Sequence, residues 1–301
     1  MTIREYFQNQ RKLRDTSVRC YMICLKKLNK NVEPETLDFL KNFDDVFHFI
    51  KQYKPATQRS YMIAVNQALK SVNDWDELKD IYEAKLEVLE YEHQEKIDTY
   101  DKSEKEAENW TTLEELKLVA DYWLDTIDEI QYSTRHFMKV HDVYKCAIIA
   151  LLYVDHPAIR LDYATMEIIH SEAEIKPNKN YLLIEADEKH FILQHYKTSS
   201  KHHEKVWSPS TRLSTIIDEW LKINKSGYFL PNRNMDKPMT TNALGKMITR
   251  VFESLGKKIT VNVIRHIWIS QNVDKNILEQ NAALASAMCH TAGTQKSYIR
   301  C

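Results

Sequence analysis

HDVYKCAIIALLYV, residues 141–154, is followed almost at once by HPAIRLDYATMEI, residues 156–168. The first stretch is the most apolar in the chain and predicts a helix in the core of a domain. The second carries Arg160 just past that helix. Taken alone, such an arginine is ordinarily half of a surface ion pair. Its meaning depends on what the rest of the chain brings to it.

Upstream, the apolar spacing is helical. SVRCYMICLKKL (17–28) predicts one helix, PETLDFLKNFDDVFHFIKQY (34–53) a second that opens on Pro34, and PATQRSYMIAVNQALKSV (55–72) a third capped by Thr57. Residues 73–109 are strongly charged and read as a long, largely solvated helix running into a linker, with the domain boundary near Lys102–Asn109. NWTTLEELKLVADYW (109–123) reopens a helix, with Thr112 and Glu115 at capping-box spacing. Downstream, YLLIEA, HFILQHY and EKVWSP, within 181–209, predict a short antiparallel sheet. SGYFLPNRN (226–234) reads as a loop with a brief strand, and NALGKMITRVFESLG, VNVIRHIWISQNV and LEQNAALASAMC return to helix. The expected architecture is mainly α with a small antiparallel β-sheet. A helical domain with its charged linker is expected over 1–105 and an α+β domain over 106–301.

Only 4 glycines and 7 prolines among 301 residues fit a helix-rich fold. No run of 18 apolar residues is present, so no membrane span is expected. The N-terminal MTIREYFQNQRKLRD is too charged for a signal peptide, which points to an intracellular protein. Five cysteines without CxxC spacing suit free thiols in a reducing compartment. Cys20 and Cys24 stand four apart, with no second ligand pair near them in the sequence, and no metal or cofactor is implied. The net charge is −1, but it is unevenly spread: +6 over 1–72, −11 over 73–115 and +9 over 176–301. Local field governs phosphate binding, so two basic regions keep a nucleic-acid partner in view. Pairing of the basic and acidic segments with each other is the plainer alternative.

Three further stretches join the Arg160 segment: YKTSSKHHEKVW (196–207), VNVIRHIWIS (261–270) and CHTAGTQKSY (289–298). Each is weak alone, but their order is specific. Together they resemble the tyrosine recombinases, or phage-type integrases. The family's first arginine matches Arg160, its hairpin lysine Lys197, its H-x-x-R box Asn262 to Arg265, its L-G-H box Met288-Cys289-His290, and its nucleophile Tyr298. The finer likeness is to integrases of large eukaryotic DNA viruses and mobile elements.

The resemblance implies a core-binding domain followed by a catalytic domain, acting on double-stranded DNA as a synaptic tetramer. In a eukaryotic host it would work in the nucleus or at the site of viral DNA replication. It also implies metal-independent cleavage and rejoining of DNA. On that resemblance Tyr298 would form a 3′-phosphotyrosyl link, while Arg160, Arg265 and His290 would hold the phosphate and Lys197 would protonate the leaving 5′-oxygen. These residue types suit that chemistry: forked guanidinium donors match phosphate oxygens, and preorganised donors stabilise developing charge. Two features depart from the family. Asn262 stands where histidine is common, and only three residues follow Tyr298. A type IB topoisomerase-like enzyme and a catalytically impaired DNA-binding relative are the alternatives.

Overall fold

The structure, a computed structural model, describes residues 2–98, 101–133, 137–186, 188–274, 276–277 and 280. It is mainly α with one small four-stranded sheet, and the chain divides into two compact units, Met1–Lys102 and Ser103–Cys301.

The first unit is helical. A short α1 (Ile3–Glu5) runs into a wider turn over Tyr6–Gln10, and α2 (Asp15–Leu28), α3 (Phe43–Lys51), α4 (Pro55–Leu69) and α5 (Asp76–Asp98) follow. Phe7, Leu25, Leu40, Ile50, Met62, Val65 and Tyr82 are fully buried at its centre. The Tyr82 hydroxyl escapes the cost of burial by donating to the Leu40 carbonyl oxygen at 2.8 Å. The single helix expected over 34–53 is instead two pieces, a 3₁₀ turn at Asp38–Lys41 and then α3. Asn42 divides them. Its backbone is non-helical, and its side-chain oxygen accepts from the Asp45 N–H at 3.3 Å, which starts α3 afresh. Thr57 is not a cap. Pro55 occupies the first turn of α4 and Lys54 is the flanking residue, so Thr57 already lies inside the helix.

In the second unit, α6 (Glu104–Glu108) starts at a reciprocal Ser103–Glu106 capping box. The expected Thr112–Glu115 box opens α7 (Leu113–Ser133), with both bonds at 3.1 Å. Next comes α8 (Phe137–Val154), in which every residue from Cys146 to Tyr153 is fully buried. A helix apolar on all sides has to be surrounded. Here α7 packs on it, together with α10 (Thr211–Ile223) and α11 (Thr241–Val251). α12 (Val261–Asn272) joins the same core through Ile264 and Ile267. The expected helix over 278–289 lies, but for Gln280, outside the described residues.

The sheet runs in the order β1 (Glu167–Ile169), β2 (Asn180–Glu185), β3 (Glu188–Leu193), β4 (Lys205–Trp207). Its last three strands form the expected antiparallel part, and β1 adds to β2 in parallel. Residues 170–179, with a 3₁₀ turn at Glu172–Glu174, carry the chain back so that both strands point the same way. In place of the brief strand, 226–234 holds two isolated bridges, Tyr228 to Glu167 and Pro231 to Pro238. The loop between β3 and β4 contains a short α9 (Ser199–His202).

The end of α8 is anchored to the start of α10. Arg212 grips Asp155 with Nε at 2.8 Å and Nη2 at 2.5 Å, and reaches Asp121 with Nη1 at 2.6 Å. Ser210 donates to Asp155 at 2.6 Å, while its backbone N–H donates to His156 Nε2 at 3.0 Å. Burial opposes the charge of Asp155, but the bonds from Arg212 and Ser210 outweigh it and hold the carboxyl below the usual range.

A carboxylate depressed in this way adds stability above its unfolded pKa and loses it as pH falls through the folded one. Arg212→Ala should therefore lower stability at neutral pH by about 1.5–3 kcal/mol, the worth of a hydrogen bond to a charged group. It should also move the acid-unfolding midpoint to higher pH. Urea unfolding of both proteins across pH checks both effects.

Candidate active site

Arg160 emerges from the turn after α8, and three hydrogen bonds fix that turn. Tyr153, fully buried in α8, donates from its hydroxyl to the Arg160 carbonyl oxygen at 2.8 Å. Trp268 of α12 donates from Nε1 to the Tyr153 carbonyl oxygen at 2.8 Å. Arg265, three residues earlier on α12, donates from Nη1 to the Ala158 carbonyl oxygen at 2.9 Å. The end of α8, the 157–160 turn and α12 are thus one framework.

That framework brings Arg160 and Arg265 together. Burial lowers the Arg265 pKa, and the charge of Arg160 lowers it further, while Asp162 and Tyr153 act the other way. A guanidinium so shifted is still charged. Arg160 is exposed and Arg265 half-buried. The bond to Ala158 uses one of Arg265's five N–H donors. Asp162 completes the group. Burial raises its pKa, and the charges of Arg160, Arg265 and His195 offset part of that rise.

Lys197 is exposed in the loop that follows β3. The loop is closed at its neck, where the Tyr196 hydroxyl donates to the His203 carbonyl oxygen at 2.6 Å and Gln194 donates to Glu204 at 2.6 Å. Asn262 lies exposed on the first turn of α12, behind the Thr260 cap and three residues before Arg265. His266 does not join the arginines. Its Nδ1 lies 3.0 Å from Glu106 Oε1, so it braces α12 against α6. His290 and Tyr298 lie outside the described residues. Among the described residues, no cluster of three or more histidine, cysteine, aspartate or glutamate side chains is arranged to hold a metal ion. No described helix is long and apolar enough to cross a membrane.

Three further residues of this region were not among the expected ones: Asp162, His195 and Asn180, whose side-chain amide donates to the carbonyl oxygens of Asp162 and His195. Asp162 was signalled by its place two residues after Arg160. His195 and Asn180 gave no signal, because KPNKN reads as a turn and HFILQHY as uninterrupted strand.

No family model matches the chain, and no curated protein matches it. Among solved structures, the crystal structure of XerA recombinase aligns with 89% of this chain and 81% of its own, at 11% identity and a TM-score of 0.35.

If Arg160 and Arg265 both act on Asp162, removing either should raise its pKa. Carboxyl carbon NMR titration of Arg160→Ala and Arg265→Ala checks this. An Asp162 midpoint that moves in neither variant would separate the carboxylate from the arginines.

Proposed function

We propose that this protein is a tyrosine recombinase, which cleaves and rejoins double-stranded DNA through a 3′-phosphotyrosyl intermediate. The observation that carries the reading is the meeting of Arg160 and Arg265, from segments far apart in sequence: Arg265 donates to the Ala158 carbonyl oxygen in the Arg160 segment at 2.9 Å, and the charge of Arg160 helps to lower its pKa. Two like charges beside one another cost stability that a bound anion repays, and a phosphodiester offers two non-bridging oxygens to two forked donors.

In this reading the Tyr298 oxygen attacks the scissile phosphorus and its proton passes to water. The bond from phosphorus to the 5′-oxygen breaks, and Lys197 gives that oxygen a proton. The reverse sequence rejoins the strand. Arg160, Arg265 and His290 donate to the phosphate as charge builds on it, and the Asn262 amide is a further donor from the first turn of α12. The basic segments 1–72 and 176–301 supply the field for duplex DNA, and strand exchange takes place in a tetramer of the chain on two DNA sites. A DNA-binding relative without cleavage is the second reading, favoured by asparagine at position 262.

A randomised pool of nicked duplexes tests the two readings. The nick lets the cleaved strand diffuse away and traps any covalent species, which is then recovered and sequenced. Wild type should form an adduct, and Tyr298→Phe should bind DNA without forming one. Arg160→Lys and Arg265→Lys, which keep the charge but lose the fork, should each slow cleavage by about 10²–10³-fold, the effect of losing one preorganised donor. Binding without any adduct in wild type would favour the second reading.

Asn262 gives a separate prediction. As a donor to the phosphate, it should be missed in Asn262→Ala, which should cleave more slowly. Asn262→His should cleave with a pH dependence near the imidazole pKa, about 6.5 when unperturbed. Adduct formation across pH measures both, and an alanine variant as fast as wild type would remove Asn262 from the chemistry.

A further inference from the structure

Asn180 is 3% exposed and stands at the first position of β2, opposite Leu193, the last residue of β3. Beyond that pair the strand ladder stops, yet the chain continues toward Lys197. The Asn180 side chain takes over where the ladder ends. Its Oδ1 accepts from the Gln194 N–H at 3.1 Å and the His195 N–H at 2.8 Å. Its Nδ2 donates to the His195 carbonyl oxygen at 2.9 Å and to the Asp162 carbonyl oxygen at 3.2 Å. An amide side chain has two donor hydrogens and two acceptor lone pairs, and all four are used.

Where those bonds go decides what they do. Asp162 is two residues from Arg160, and His195 is two residues from Lys197. One buried side chain therefore ties the backbone of the arginine segment to the backbone of the lysine loop. The neck of that loop, Tyr196 to His203, lies beyond the tie, so the tie sets where the closed loop stands. Lys197 lies exposed on the far side of this joint.

We propose that Asn180 is a positioning residue that holds the Lys197 loop in register with the Arg160 segment, so that losing its amide disables proton delivery to the leaving oxygen. The inference rests on the strand-cleavage reading above and makes a narrower claim. Structural damage alone would weaken every step of cleavage. A misplaced proton donor weakens only the step that needs the proton.

The experiment compares two nicked substrates of one sequence, selected by wild type, differing only at the scissile 5′ atom. One has the ordinary oxygen and the other a bridging sulfur. A thiolate is a good leaving group without protonation, so it bypasses a general acid. Lys197→Ala is the reference variant. It should be slow on the oxygen substrate, within the about 10²–10⁴-fold range of general acid catalysis, and fast on sulfur. Asn180→Ala should follow the same pattern, slowed at least about tenfold on oxygen and restored to the wild-type rate on sulfur. Asn180→Asp keeps the side-chain size but sets a carboxylate oxygen against the carbonyls of Asp162 and His195, and should behave alike. Assays are run below the thermal transition of each variant. Asn180 variants slowed equally on both substrates, or on neither, overturn the proposal while leaving Lys197 in place. A wild type that makes no adduct, or a Lys197→Ala variant that sulfur does not restore, overturns the cleavage reading itself.

Discussion

A helix that is apolar on every side cannot lie at a surface, and this requirement organises the second unit. From Cys146 to Tyr153 no residue of α8 reaches solvent, so α7, α10 and α11 pack on it and α12 joins the same core. Burying a large aliphatic side chain stabilises by about 1.5–3 kcal/mol, and this segment buries Ile148, Ile149, Leu151 and Leu152 completely. It also defines a fixed point. Where the apolar run stops, the chain must leave the core, and it leaves through Asp155, His156 and the turn to Arg160.

That exit is over-determined. Arg212 and Ser210 hold one side of it, and Tyr153, Trp268 and Arg265 hold the other. The need for so many ties follows from electrostatics. The charge of exposed Arg160 opposes that of half-buried Arg265, and one carboxylate, Asp162, offsets part of this. Without a rigid backbone beneath them the two side chains would separate. Rigidity here resists a local unfavourable field, and the proposed phosphate contact would draw on that preorganisation.

The helices were legible because their apolar positions repeat with the helical period. The core position of α8, the Thr112 cap of α7 and the antiparallel strands could all be read from residue order. The break at Asn42 was not, since Phe43, Val46, Phe47 and Ile50 continue the apolar pattern across it. Only the short-range competition of an asparagine side chain for a backbone N–H decides that point. The parallel partner of β2 was hidden for a different reason: pairing direction depends on how a connection folds, not on the strand's own residues. For the candidate site, residue types and order named Arg160, Lys197, Asn262, Arg265, His290 and Tyr298; the fold brings Arg160 and Arg265 together, and His290 and Tyr298 lie outside the described residues. Asn180 was invisible, because its role lies in joining segments that the sequence keeps apart. His266 also needed the fold, which turns it toward Glu106.

The burial of α8 reaches one group with chemistry of its own. Cys146 is fully buried in the middle of that helix, and burial pushes its thiol pKa up to about 12, whereas Cys20 on α2 is exposed. Thiol reagents attack the thiolate, and a buried neutral thiol offers neither charge nor access. Native protein will therefore take up a label at Cys20 and leave Cys146 untouched. Labelling of Cys146 has to wait for the core to part, so under conditions of fast reclosing its rate measures the population of opened molecules. The chain thus contains its own clock for the stability of the unit that holds the arginines, readable residue by residue in a mass spectrometer without adding a probe.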